Sequence, residues 1–91
     1  MPVYVDDQRA PYGRMIMCHM VADSLAELHA MADALGLARR WFQCPPRVRL
    51  PHYDVSLRFR ARAISLGAKE IGRREAAVLA RRLLAEFDGA R

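Results

Sequence analysis

The sequence predicts a small α/β domain with about three helices and a short, partly parallel sheet of three or four strands. Short β-prone runs alternate with segments of helical periodicity along the chain, which is the order typical of α/β folds. The chain has 91 residues, of which 53% are hydrophobic. This length and composition predict a single domain over residues 1–91, and they exclude low-complexity and disordered chains because there is enough apolar material for a core.

The first elements are short and extended. Val3–Val5 is β-prone and ends at two aspartates, which are poor strand residues. Residues 10–13 have the composition of a turn. Residues 15–21 are apolar apart from His19, and they are interpreted either as a second strand or as an extended segment that crosses the core.

The first helix is predicted over residues 24–35, because the apolar residues in this range recur at helical spacing. Either Asp23 or Ser24 would cap this helix, and Ser24 and Glu27 have the Ser-x-x-Glu spacing of a capping box, which satisfies free amides at a helix N-terminus. Gly36 suits the left-handed conformation that often ends a helix.

A third strand is predicted over residues 38–43, which contain the β-prone Trp41 and Phe42. The loop 44–51 follows and carries three prolines, so it cannot belong to a central strand.

Two further helices are predicted in the last part of the chain. Asp54 is a good N-cap residue for a second helix over 55–66. A short strand is expected at 68–71, and a third helix over 73–87. Gly72 precedes the third helix, which therefore lacks a capping side chain.

Charge is distributed unevenly. Residues 1–38 hold two arginines and five acidic residues, a net charge of −3, whereas residues 39–91 hold thirteen basic and five acidic residues, a net charge of +8, and the two sum to +5. Fourteen of the fifteen basic residues are arginine. Arginine binds phosphate oxygens in a bidentate geometry, so a phosphate-binding face is one interpretation, and an arginine-rich composition without a function is the other.

The sequence predicts a cytoplasmic protein without a membrane partner. No apolar segment approaches the about 20 residues that a membrane-spanning helix needs. The N-terminus is acidic where a signal peptide would be basic. Cys18 and Cys44 are far apart, and we expect both to be core thiols. A homodimer would bury more surface than so short a chain buries alone.

Several short motifs follow one another along the chain: Val-Tyr-Val-Asp-Asp at 3–7, Gly13-Arg14, Cys18-His19-Met20-x-Ala22-Asp23, Glu27-Leu28-His29-x-Met31-Ala32, Arg40-Trp41-Phe42-Gln43, His52-Tyr53-Asp54 and Gly67-Ala68-x-Glu70-Ile71. Together they resemble a family of small bacterial and phage proteins known as a domain of unknown function, over residues 3–72. The resemblance implies no activity, cofactor or substrate. The loop 44–51, with Arg47 and Arg49, departs from the pattern.

Asp6 and Asp7 follow the first strand, at the end of a strand where ligands bind in open α/β folds. Two adjacent carboxylates there would hold a divalent metal ion such as Mg²⁺ or Mn²⁺. The alternative is a solvated loop pair, or an aspartate that stabilises a turn.

His52, Tyr53 and Asp54 form the most informative motif. The N-terminus of the predicted second helix would attract an anion, and His52 beside it could act as a general base or metal ligand. Asp54 has the alternative role of helix cap. Arg60, two turns into the helix, could pair with Asp54 or with an acid from the first half.

The other histidines and Trp41 each have two interpretations. His19 is either a site residue, catalytic or metal-ligating, or a core histidine bonded to a backbone carbonyl. His29 is either functional or paired on the helix surface with Asp33. Trp41, next to Arg40, either stacks a nucleobase or lies in the core.

Three function classes therefore stay open. The first is a domain that binds a phosphate-bearing ligand, a nucleotide or nucleic acid, through His52, Arg14, Arg40, Tyr53 and Arg60. The second is a metal-dependent hydrolase, similar to a phosphoesterase, that uses Asp6, Asp7, His19 and either His52 or Asp54. The third is an accessory protein that binds a partner through its third helix. Convergence of the histidines and aspartates would favour a site, and dispersal over different faces would exclude both site hypotheses.

Overall fold

A computed structural model describes residues 2–90. These residues form a mixed five-stranded sheet and three α-helices, so the predicted α/β class is confirmed, with more strands than the three or four expected. The elements are β1 (Val3–Val5), β2 (Ala10–Tyr12), β3 (Met15–Ala22), α1 (Leu25–Leu35), β4 (Tyr53–Ser56), α2 (Leu57–Ser65), β5 (Lys69–Glu70) and α3 (Arg73–Gly89).

Strand β3 is the centre of the sheet. One edge of β3 pairs antiparallel with β1 and then with β2, and its other edge pairs antiparallel with β4. Strand β1 pairs in parallel with the short β5, which gives the sheet its mixed character. Of the two interpretations of residues 15–21, the strand is therefore correct. The strand predicted at 68–71 is confirmed but is only two residues long.

Residues 10–12 pair with β3, so the turn predicted at 10–13 is misplaced. Tyr12 lies opposite Met15, which leaves Gly13 and Arg14 as a two-residue hairpin loop. Gly13 has a φ of 60°, and the tight turns that join two antiparallel strands require positive φ.

The pairing of β1 and β2 with β3 is interrupted by a bulge. Val5 lies opposite Met20, and Ala10 lies opposite Met17. The four residues 6–9 thus face only two residues of β3, one of which is His19. Such insertions bend a strand away from its partner and redirect side chains, and Asp6 and Asp7 lie in this one.

The strand predicted at 38–43 is wrong. Residues Arg39–Trp41 form a 3₁₀ turn instead, in which the amides of Trp41 and Phe42 donate to the carbonyls of Ala38 and Arg39. The β-propensity of Trp41 and Phe42 expresses a preference for a packed pleated surface. No strand of the described chain pairs with them, and Gln43 alone forms a bridge, to His52.

The second helix begins two residues later than predicted, because 53–56 form β4. Tyr53 and Val55 are buried and alternate with Asp54 and Ser56, and all four pair with β3. Asp54 is therefore not the helix cap. The side chain of Ser56 takes that role and accepts the amide of Phe59 at 3.3 Å.

Both ends of α1 and the start of α3 agree with the sequence, whereas α2 ends one residue before its predicted end at 66 and α3 continues two residues beyond its predicted end at 87. Ser24 accepts the amide of Glu27 at 3.2 Å, as its capping box predicts, and Gly36 ends α1 with a φ of 81°. Gly72 precedes α3 without a side-chain cap, also as predicted.

The two faces of β3 and β4 have different roles. Successive side chains of a strand point to opposite faces, so Met20 and Tyr53 share one face, and His19 and Asp54 share the other. All three helices pack against β3. The core includes the fully buried Val3, Val5, Met20, Leu28, Tyr53, Val55 and Leu83.

Both cysteines are free, with Cys18 buried and Cys44 half-buried. Among the described residues, no helix has the length and apolarity needed to traverse a lipid bilayer.

Candidate functional site

Asp6 is a fully buried residue whose carboxylate accepts backbone hydrogen bonds at the bulge between β1 and β2. Its backbone amide donates to the carbonyl of His19 at 3.0 Å, and its Oδ1 accepts the amide of His19 at 2.8 Å. The same Oδ1 accepts the amide of Gln8 at 3.2 Å. The side chain thus replaces the strand carbonyl that the bulge removes, and its burial is explained by these bonds.

The second oxygen of Asp6 orients the ring of His19. Nδ1 of His19 donates to Oδ2 of Asp6 at 2.8 Å. Because Nδ1 carries the proton in this bond, Nε2 of His19 is the nitrogen left for other chemistry.

Arg60 supports the position of Asp6 from behind. Its Nε donates to the backbone carbonyl of Asp6 at 2.8 Å, and its guanidinium also binds Glu70 at 3.1 Å. Only 12% of the Arg60 side chain is exposed. Arg60 therefore ties α2 to the bulge and to β5, and it does not contact Asp54, one of the two partners predicted for it.

His52 and Asp54 lie on the same face because they are two residues apart along the extended segment that becomes β4. Nδ1 of His52 donates to the carbonyl of Leu50 at 2.8 Å. Its Nε2 lies 3.2 Å from Oδ1 of Asp54. Asp54 is directly opposite His19 in the β3–β4 ladder, which brings all three side chains together.

We call His19, His52 and Asp54 the triad. Each offers one ligand atom, and these atoms all lie within 4.8 Å of one another. The rings of His19 and His52 are in edge contact, with centroids 4.8 Å apart. All three side chains are half-buried, so the triad is screened from bulk water but open to a ligand.

The triad fits the donor set of a transition-metal ion. Two imidazoles and one carboxylate are common ligands of zinc and of non-haem iron. In metal sites the ligating histidine usually donates its other N–H to a carboxylate or a backbone carbonyl. Asp6 plays this part for His19, and the carbonyl of Leu50 plays it for His52.

Hydrogen bonds between histidines and carboxylates shift the pKa values of His19, Asp6 and Asp54 toward their charged forms. The hydrogen bond to Asp6 raises the pKa of His19 against the opposing effect of burial. Burial acts to raise the pKa of Asp6, but the bonds from the ring and amide of His19 outweigh it, and the net pKa is lowered. The contact with His52 lowers the pKa of Asp54. Both carboxylates are therefore anionic near neutral pH.

Two clefts open on either side of the triad, and both are lined by Gln8, His19 and His52. The first, which we call the arginine cleft, has a volume of about 430 Å³ and is bounded by Arg49, by Arg73 and by the alanines of one side of α3. The second, which we call the aromatic cleft, has a volume of about 400 Å³ and includes Tyr12, Trp41 and Asp54 in its walls.

Several residues singled out in the sequence lie outside the triad. Asp7 is exposed on the bulge next to Asp6. Arg14 is exposed in the hairpin loop, and Arg40 is exposed with its guanidinium 5.6 Å from the centroid of the Trp41 ring. None of these three lines either cleft.

Tyr53 faces away from its neighbours His52 and Asp54. It is fully buried on the core face, and its hydroxyl makes a 2.8 Å hydrogen bond with Nδ1 of His29. Burial raises the pKa of Tyr53 and lowers that of His29. His29 therefore pairs with Tyr53 inside the fold rather than with Asp33 on the helix surface.

Sequence reasoning missed Gln8, Tyr12, Arg49 and Arg73 as cleft residues. Arg49 belongs to the proline-rich loop 44–51, which has no regular pattern of its own, and Arg73 opens α3, far along the chain. One signal was present in the sequence: His52-x-Asp54 has the two-residue spacing that puts both side chains on one face of a strand.

Comparisons with known proteins identify a family, but that family has no assigned activity. A family model described as "Protein of unknown function (DUF4031)" matches residues 3–83. No curated protein and no solved structure matches the chain significantly.

Proposed function

The chain belongs to the DUF4031 family of proteins of unknown function, in agreement with the resemblance to a domain of unknown function, and we propose that it is a metal-dependent hydrolase that acts on phosphate esters. His19, His52 and Asp54 would hold a divalent transition-metal ion. Asp6 and the carbonyl of Leu50 would orient the two imidazoles from behind. This ligand set retains His19 and uses both His52 and Asp54, which the sequence offered as alternatives. It omits Asp7 and gives Asp6 a supporting role instead of a direct one.

One contact carries the proposal. Nδ1 of His52 donates to the carbonyl of Leu50, so the neutral ring has its lone pair on Nε2, and this atom lies 3.2 Å from an oxygen of Asp54. Two acceptors at that distance need a cation between or near them, either a proton or a metal ion. The third donor, from His19, lies in the same group, which favours a metal ion.

A site with three protein ligands is typical of catalytic zinc, because structural zinc sites usually have four protein ligands. A bound divalent ion would supply Lewis acidity and lower the pKa of a coordinated water to about 7. The clefts on both sides of the triad give a substrate access to this centre. In the reaction the water oxygen forms a bond to phosphorus, the bond from phosphorus to the leaving oxygen breaks, and that oxygen takes up a proton.

The arginine cleft favours an anionic substrate. Arg49 and Arg73 both border it, and guanidinium groups bind phosphate oxygens with good geometric fit. The phosphate-bearing ligand expected from the charge pattern is therefore retained, with Arg49 and Arg73 as its contacts. Arg60 is engaged with Asp6 and Glu70, so we assign it to support of the site.

A second candidate is a phosphate-binding domain that uses no metal. Arg49 and Arg73 border one cleft, and two guanidinium groups there would bind an anion without a metal ion. An accessory protein without a ligand predicts no convergent polar cluster, and the triad argues against that hypothesis.

The test compares metal binding and hydrolysis in one set of samples. EDTA-treated protein is dialysed against Zn²⁺, Mn²⁺, Ni²⁺ or Mg²⁺, its metal content is measured, and release of p-nitrophenol from p-nitrophenyl phosphate and its diester is followed. We expect about one ion per chain and metal-dependent hydrolysis. Both should be lost in His52→Ala and retained in Arg14→Ala, which changes an exposed residue outside the clefts.

The opposite outcomes are informative. A melting-temperature increase with inorganic phosphate in EDTA, without metal uptake, would replace the hydrolase with the phosphate-binding domain. His52→Gln serves as a second variant in case His52→Ala fails to fold, since it preserves a polar side chain of similar length.

A further inference from the structure

The two clefts beside the triad have different chemistry. The arginine cleft carries the cationic Arg49 and Arg73, and the aromatic cleft carries the rings of Tyr12 and Trp41. Because the clefts share His19 and His52, a single ligand that crosses the triad would contact both. Such a ligand needs an anionic end and a flat aromatic end.

The two rings of the aromatic cleft are unusually exposed. Tyr12 is 70% exposed and Trp41 is 48% exposed, both counted among the large apolar side chains at the surface. Large aromatic area left in water is unfavourable, and it marks binding surfaces when it lines a concavity. The guanidinium of Arg40, 5.6 Å from the centroid of Trp41, is close enough to fix the indole by a cation–π contact.

The polar groups of the aromatic cleft suit a ring with hydrogen-bonding edges. Gln8 and Gln43 offer amide donors and acceptors at its walls, and Asp54 offers an acceptor. A purely apolar ring would displace water from these polar walls and offer no hydrogen bonds in its place, which is costly. A nucleobase has both the flat face for Tyr12 and Trp41 and the polar edge for the glutamines.

We propose that the substrate is a nucleoside phosphate, with its base on Tyr12 and Trp41 and its phosphate directed across the triad toward Arg49 and Arg73. This inference rests on the proposed function and names its substrate class. The nucleotide unit could be free or belong to a single strand, and both sources present the same base and phosphate. Base stacking on aromatic side chains is tolerant of base identity, so we expect all four bases to bind.

The test uses the fluorescence of Trp41, which is the single tryptophan of the chain. Zinc-loaded protein is titrated with the non-hydrolysable phosphonate analogue of adenosine monophosphate, and in parallel with the phosphonate analogue of ribose 5-phosphate, which lacks the base. We expect the adenosine analogue to quench Trp41 and to bind about tenfold more tightly, the size of effect typical of one stacked base. A 5′-phosphorylated oligodeoxyadenylate forms a third arm, and tighter binding of it would identify a strand as the source.

Variants separate the two ends of the ligand. Tyr12→Ala should abolish the preference for the adenosine analogue and leave binding of the ribose analogue unchanged. Arg73→Ala should weaken both analogues by the same factor. Leu66→Ala, which removes another exposed apolar side chain outside both clefts, is the matched control and should change neither.

Metal content of the same samples distinguishes this inference from the hydrolase proposal. Equal affinities for the two analogues in protein that holds its zinc would overturn the nucleotide assignment alone. A tenfold preference in protein that takes up no metal would overturn the hydrolase and support the base site. Retention of the preference in Tyr12→Ala would also overturn the base site.

Discussion

His19 and Asp54 occupy opposite positions in the antiparallel ladder between β3 and β4. Their side chains therefore leave the same face of the sheet, and His52, two residues before Asp54, joins them there. Each member of the triad is held by backbone pairing, since His52 bridges Gln43 just before β4 begins. Sites built on strands are held more rigidly than sites on loops.

This arrangement predicts an order of effects on metal affinity. Asp54→Ala removes a ligand, so we expect it to reduce affinity for Zn²⁺ by more than the about 10- to 100-fold that loss of an outer partner costs. Isothermal titration with Zn²⁺ measures the change. Asp33→Ala removes an exposed carboxylate that is paired with Arg39 on the surface, and this variant should bind Zn²⁺ like the wild type.

Asp6→Asn tests the support of His19. The two carboxylate oxygens of Asp6 accept separate hydrogen bonds from the amide and the ring of His19. Asn has an NH₂ donor in place of one of these oxygens, so the orientation of the His19 ring is weakened. We expect zinc affinity to fall by about 10- to 100-fold and the free energy of unfolding of the metal-free protein to fall by about 1–3 kcal/mol. Titration calorimetry and urea unfolding in EDTA measure the two effects.

Asp7→Asn is the matched control, because Asp7 is the exposed neighbour of the buried Asp6. It should change neither quantity. If Asp7→Asn lowers zinc affinity as much as Asp6→Asn does, the carboxylate pair expected from the sequence is the metal site, and the triad is wrong.

Local signals in the sequence predicted much of the fold. The capping box of Ser24 and Glu27, the terminating Gly36 and the periodicity of α3 depend on neighbouring residues, and each is found in the structure. Strand β4 could not be recognised in this way. Residues 53–56 have a good helix-capping aspartate, and only their long-range pairing with β3 makes them a strand.

The candidate site was predictable in residue type and not in arrangement. His19 stood out because it interrupts an apolar run, Asp6 because it follows a strand, and His52 and Asp54 because they precede a predicted helix. The bulge that turns Asp6 inward depends on the register of β1 and β2 against β3, which no local pattern encodes. The arginine cleft depends on where α3 packs, and for this reason Arg73 could not be connected to His52 from the sequence.

Ser56→Ala tests the corrected start of α2. Ser56 accepts the amide of Phe59 and lies outside the triad, so its loss should reduce the free energy of unfolding by about 1 kcal/mol. Ser56→Asp retains a capping oxygen and should stay close to the wild type. Chemical denaturation in EDTA measures both variants. A cost for Ser56→Asp equal to that of Ser56→Ala would mean that the side chain does not cap the helix.

His29 predicts a pH dependence of stability that does not involve the triad. Burial, with a smaller contribution from the charge of Arg39, lowers the pKa of His29 in the folded chain below the ordinary 6.5. The folded state then binds fewer protons at this residue than the unfolded state does. The stability that His29 contributes is therefore present above pH 6.5 and is lost as the pH falls through its lowered folded pKa.

The measurement is the difference in free energy of unfolding between the wild type and His29→Gln, in EDTA, from pH 8 to pH 5. His19 and the carboxylates titrate alike in both chains, so their contributions cancel in the difference. Loss of the 2.8 Å bond to Tyr53 makes His29→Gln the less stable chain at pH 8. We expect this gap to shrink toward pH 5, because protonation then destabilises only the wild type. A gap that widens on acidification would mean that His29 is stabilised in its charged form, and the pairing of a neutral His29 with Tyr53 would be wrong.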